Sequence, residues 1–139
     1  MDQRATHHGD DVVRAELRAR VHGLVAIYRF GSSVHGETHG QSDVDIAVLA
    51  RAPLAPAARF DLQERLATLL RRNVDLVDLT QASPVLAVQV IGHGLLLDDI
   101  DPDTRGRFED RMLGAYARLN EERRGILERV RQEGTVYGR

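Results

Sequence analysis

Apolar residues recur at Val13, Leu17, Val21 and Leu24, the spacing of one face of a helix, after eight residues that read as a loose polar start. Gly23 ends that pattern. Leu24 to Phe30 is a run rich in apolar and β-branched residues, which predicts a first strand. Gly31 to Ser42 is rich in Gly and Ser, with room for one short helix, and Val44 to Leu49 predicts a second strand. After the Pro-punctuated RAPLAP, Leu62, Leu66, Leu69 and Leu70 keep helical spacing up to an exit at Asn73. Val74 to Leu79 predicts a third strand. Ser83 is placed as an N-cap before Pro84, and Gly92 and Gly94 close that helix. LLLDD then suits a short fourth strand at a sheet edge. From Asp103 the chain predicts a long helix, apolar along Phe108, Met112, Tyr116, Leu119, Ile126 and Val130, with Arg123 and Gly125 interrupting the stripe.

Strands alternating with helices imply an α/β fold: a small mixed sheet of about four strands flanked by helices, with a long C-terminal helix. Neither a repeat nor a linker divides the 139 residues, so one domain is expected. Its core falls at about 24–98 and its last helix at about 103–133.

The connections place chemistry at one edge of that sheet. The second and third strands join through a helix, which makes them parallel with their N-terminal ends together. The first reaches the second by a compact turn, so the two are expected to be antiparallel. Gly31 and Ser32 at the end of strand one, Asp43 and Asp45 at the start of strand two, and Asp75 at the start of strand three therefore converge. Residues i and i+2 share a strand face. Two carboxylates about 5 Å apart repel by about 3 kcal/mol at an effective dielectric near 20. A cation offsets that cost. Carboxylate oxygens with open positions suit magnesium, and two metals about 3.5–4 Å apart stabilise the entering and leaving oxygens of phosphoryl transfer. Small residues at Gly31 and Ser32 let backbone N–H groups approach a phosphate.

Composition narrows the options. A net charge of −2 with pI near 6.3 gives no footprint for direct nucleic-acid binding. Cysteine is absent, which excludes disulfides and thiolate chemistry and suits a cytoplasmic protein. All 19 basic residues are Arg, so Schiff-base and lysyl-adenylate intermediates are impossible here. No signal peptide is expected, and no apolar run approaches the roughly 18 residues of a membrane span.

Other motifs fail on chemistry. GSSVHGET imitates a phosphate loop, but Glu37 stands at the lysine position and would oppose the phosphates. His35 and His39 have zinc-pair spacing without a completing ligand. Arg29 and His35 are spaced as in a HEPN ribonuclease motif, yet they flank a strand-to-loop turn rather than lying on a helix. No nucleophile-elbow pattern surrounds Ser32 or Ser33. Asp78 competes with Asp75, but three residues on it faces the other side of the strand and takes a structural or solvated role.

A Gly-Ser, ten residues, Asp-x-Asp on a strand and a third Asp in an apolar strand together resemble the DNA polymerase beta-like nucleotidyltransferases. The minimal nucleotidyltransferases are the nearest likeness, from Tyr28 to about Asp98. The resemblance implies that Gly31 and Ser32 hold the β- and γ-phosphates of ATP. It also implies that Asp43 and Asp45 bind two magnesium ions, and that Asp75 binds the catalytic metal and helps deprotonate the attacking hydroxyl. Members this small resemble the antitoxin of a pair whose partner is a HEPN ribonuclease toxin. That likeness implies transfer of AMP to a tyrosine of the toxin. A non-catalytic antitoxin acting by occlusion, or an enzyme acting on a small molecule such as an aminoglycoside, are the alternatives. The stripe on the last helix either docks that partner or packs on the protein's own sheet.

Overall fold

The computed structural model describes residues 3–31 and 43–137, with side chains from 8 to 31 and 43 to 133. The order is α1 (Gln3–Arg20), β1 (Leu24–Phe30), β2 (Val44–Ala50), α2 (Pro56–Leu70), β3 (Val74–Asp78), α3 (Pro84–His93), β4 (Leu95–Asp99) and α4 (Pro102–Tyr137). The sheet order is β3-β2-β1-β4. β1 runs antiparallel to β2 and β4, and β2 runs parallel to β3, as the connections require.

The strands bury both faces, and alternation sorts their side chains. Ile27, Ile46, Val48 and Leu76 pack with Val13 and Leu17 of α1 and Leu62 and Leu66 of α2. On the opposite face Tyr28, Ala47 and Leu49 pack with Ala87 and Val90 of α3 and Phe108 of α4. Each fully buried Leu or Ile contributes roughly 2 kcal/mol. The outer edge of β3 is closed by α2: Leu76 N–H donates to Gln63 Oε1, and Arg59 donates to the Leu76 carbonyl. That contact blunts the edge at Leu76 against pairing with another chain.

Several boundaries differ from the sequence reading. α1 begins at Gln3 rather than after residue 8, since Gln, Arg and Ala propagate a helix already anchored by its buried turns. Leu24 belongs to β1 rather than to the helix face. α2 closes at Arg71, which takes the left-handed conformation (φ 55°), not at Asn73. β3 stops at Asp78, whose side chain accepts from Thr80 N–H and starts a 3-10 turn over Leu79–Gln81. Ser83 caps α3 as expected, accepting from Leu86 N–H. The stripe on α4 divides between the two readings. Phe108 is buried and Met112 packs beside it, whereas Leu119 (42%), Ile126 (52%) and Val130 (59%) are exposed.

Candidate functional site

Three strands meet in one row at the sheet edge: Phe30 of β1 faces Asp45 of β2, and Asp45 stands beside Asp75 of β3. Asp43 precedes Asp45 by two residues and shares its face by alternation. Val77, two residues after Asp75, packs on the α3–α4 side, so Asp75 points to that side as well. Val74 and Leu76 point the other way, and so does Asp78. The acidic cluster therefore opens beside the smaller core.

Gly31 follows Phe30 with φ +79°, a conformation that strains any residue with a Cβ. A Cβ there would also run into the Asp45 carboxylate. The turn and the carboxylate thus occupy one another's space. Ser32 lies outside the described residues, as do Ser33, His35, Glu37 and His39.

The charges are not balanced locally. Burial, then Asp75, then Asp43 holds the Asp45 carboxyl above its usual range. Among the described residues no arginine pairs with Asp43, Asp45 or Asp75, although the chain forms ion pairs freely elsewhere. Among the described residues, too, no three His, Asp or Glu side chains form a ready-made cage for a metal ion. Magnesium needs no such cage. It takes one or two carboxylates and completes its shell with water and substrate phosphates, so an oxygen-only donor set under unrelieved negative charge fits it.

Asp78 is in the opposite situation. It is 5% exposed and accepts from Leu54 N–H (2.8 Å), Thr80 N–H (3.0 Å) and Thr80 Oγ1 (2.7 Å). The donors leave it no room for a ligand, which bears out its structural role.

Supports of this edge went unseen in the sequence. Gly94, after α3, packs so tightly that a Cβ would press on the Val90 carbonyl and lie 3.2 Å from the Arg29 carbonyl. Tyr28 donates to Glu109 of α4 at 2.7 Å, and Arg105 joins Glu109 to Asp99 of β4. Burial, with the Glu109 carboxylate, keeps the Tyr28 phenol protonated well above its ordinary range. Tyr28 and Glu109 lie 81 residues apart along the chain, so no local pattern marks their bond.

Residues 16–103 match the family described as polymerase beta, nucleotidyltransferase. The chain belongs to that family. All three carboxylates and Gly31 fall inside the match, and almost all of α4 falls outside it. Among curated proteins the chain is 41% identical over 114 residues to the protein adenylyltransferase MntA of Shewanella oneidensis, covering 82% of this chain and 81% of that one. Among solved structures it resembles a toxin–antitoxin complex with AMP-PNP (39% identity, TM-score 0.78, 87% of this chain and 97% of the other). It also resembles a complex of tri-AMPylated Shewanella oneidensis HEPN toxin with MNT antitoxin (35% identity, TM-score 0.75, 89% and 97%). As a nucleotidyltransferase, the chain has the mixed sheet and flanking helices that the family's fold requires. Among the described residues no helix is long and apolar enough to cross a membrane.

Proposed function

We propose that this nucleotidyltransferase is an antitoxin that transfers AMP from ATP to a tyrosine hydroxyl of a partner HEPN ribonuclease toxin and so silences it. The observation that carries this reading is a row of aspartates that no arginine pairs with among the described residues, Asp45 beside Asp75 with Asp43 on the same face, against a glycine turn. Likeness to an adenylyltransferase and to chains solved with a HEPN toxin and with AMP-PNP supports the acceptor and the nucleotide. Residues 1–139 act as one unit, in the cytoplasm where ATP is available.

In this reading Gly31 and Ser32 seat the β- and γ-phosphates through backbone N–H groups. Asp43 and Asp45 would hold the magnesium ions, with Asp75 as a further ligand to the catalytic one. Magnesium, when bound, neutralises phosphate charge and that of the departing pyrophosphate. Asp75 also takes the proton of the tyrosine hydroxyl as its oxygen bonds to the α-phosphorus. The bond from the α-phosphorus to the β-bridging oxygen breaks, and pyrophosphate leaves. Burial, Asp75 and Asp43 oppose the negative charge of Asp45, and a bound cation would favour it.

The test mixes wild type, or Asp43→Asn with Asp45→Asn, with the HEPN partner and labelled ATP. Wild type should add mass in AMP units to a partner tyrosine and silence the ribonuclease, in a reaction that a chelator abolishes. The double variant should bind the partner without modifying it. Full silencing by that variant would instead make occlusion the mechanism.

A further inference from the structure

The exposed half of α4 has a direction. Its first turns lie beside the start of β1, where Ile100 and Asp101 N–H donate to the Val25 carbonyl. Arg105 holds Asp99, which pairs with Ala26, and Glu109 one turn later accepts from Tyr28. α4 therefore advances along β1 toward the edge that carries Gly31 and the carboxylates. From Tyr28 to the end of β1 is about 7 Å, whereas from Glu109 to Leu119 is about 15 Å along the helix axis. Leu119, Ile126 and Val130 consequently lie beyond the sheet, past the catalytic edge. At about 100° per residue they share one narrow line with Phe108 and Met112. The stripe that closes the smaller core thus continues into solvent, with Leu127 (52% exposed) at its margin.

Four large apolar side chains exposed within about three turns of one helix are more than a surface that serves no contact usually carries. The resemblances point to its occupant. The family match ends at residue 103, yet the likeness to the toxin–antitoxin chains spans 87–89% of this chain and must run well into α4 wherever it starts. What those chains share with this one beyond the family match therefore includes this helix at least as far as Leu119.

We infer that the distal stripe of α4, Leu119, Ile126, Leu127 and Val130, is the seat of the protein whose hydroxyl is modified. It holds that partner at the end of the sheet where the aspartates stand. The inference rests on the proposed transfer reaction for the identity of the partner. It adds how the site gains selectivity: an apolar helix face binds the partner protein, and the carboxylates act on whatever hydroxyl it presents. A second copy of this chain on the same stripe would instead cover the approach to the site.

The experiment compares full-length wild type, Ile126→Asp with Val130→Asp on the stripe, and Ala117→Asp with Arg124→Asp on the opposite side of α4. Partner affinity is measured by calorimetry, magnesium-ATP binding separately, and AMP transfer across a range of partner concentrations. The stripe variant should bind magnesium-ATP as wild type does and lose about 100-fold in partner affinity. Its transfer defect should appear in KM and recede at high partner concentration, while the opposite-side variant behaves as wild type. Undiminished partner binding by the stripe variant overturns the inference. So does a wild-type homodimer that the stripe variant dissolves while partner binding persists. If wild type binds the partner through the stripe but transfers no AMP, the docking surface stands and the proposed reaction falls.

Discussion

Strand β3 carries two aspartates three residues apart that live in opposite circumstances. Asp78 is buried, faces the larger core and accepts three hydrogen bonds. Asp75 is exposed beside Asp45 at the other end, where among the described residues no cation meets it. The same contrast recurs across the sheet. Asp98 is held by a two-pronged contact from Arg18 at 2.6 and 2.7 Å, and that pairing lowers its pKa. Among the described residues Asp45 meets burial and like charges, and its pKa rises. Acids that hold the fold together come with donors built in. Acids that await a ligand do not, and the fold bears their repulsion.

The largest expected effect separates the two aspartates by activity. Asp75→Ala should lower AMP transfer by about 1,000-fold or more, about 4 kcal/mol of barrier, without lowering the melting temperature. Asp78→Ala should keep most of its turnover at low temperature. The reverse outcome would mean that the two ends of β3 have been assigned the wrong roles.

Stability should invert the ranking. Asp78→Ala strands the N–H groups of Leu54 and Thr80 in a part-buried setting, at a cost of about 1–2 kcal/mol in urea unfolding. Asp75→Ala and Asp45→Asn should unfold at or slightly above the wild-type midpoint in the absence of metal.

Gly31 sharpens the comparison because its space belongs to Asp45. Gly31→Ala should cost about 1–2 kcal/mol from the left-handed backbone alone, and more from the collision with the carboxylate. In an Asp45→Ala background only the backbone part should remain. Equal costs in the two backgrounds would show that the turn moves away from Asp45 freely.

The smallest effect is a difference in pH slope. Asp98 has a lowered folded pKa, so its stabilisation is present above the unfolded value near 4 and fades as pH falls through the folded value. Asp45 has a raised folded pKa, so its contribution is most favourable below the unfolded value and is lost as pH rises through the folded one. From about pH 4 upward, Asp45→Asn should therefore gain on wild type in metal-free buffer, and Asp98→Asn should lose. Denaturant midpoints measured from pH 3 to 7 would reveal parallel slopes if the contrast is wrong.

Much of this was legible along the chain. Strand and helix periods located the eight main elements, and boundary errors arose where capping decides the end, as at Arg71 and Asp78. The pairing of Asp45 with Asp75 followed from connectivity, since a helix between two strands forces them parallel. The tie from Tyr28 to Glu109 was not legible, because hydrogen bonds between distant residues leave no local spacing. Nor was the close fit of Gly94 against the Arg29 carbonyl, a matter of how one helix end meets one strand.

By itself, the sequence determined what short-range sterics dictate: two periodicities that sort apolar from polar, the face shared by Asp43 and Asp45, and a glycine where the backbone needs positive φ. Tertiary structure alone decided which groups find partners. Asp78 became structural because Leu54, 24 residues away, turned its N–H toward it. One stripe on α4 became core at Phe108 and open surface at Val130, because the sheet beneath it ends between them. Periodicity records which face of a helix is apolar, and only the reach of the neighbouring layer decides how far along the helix that face is covered.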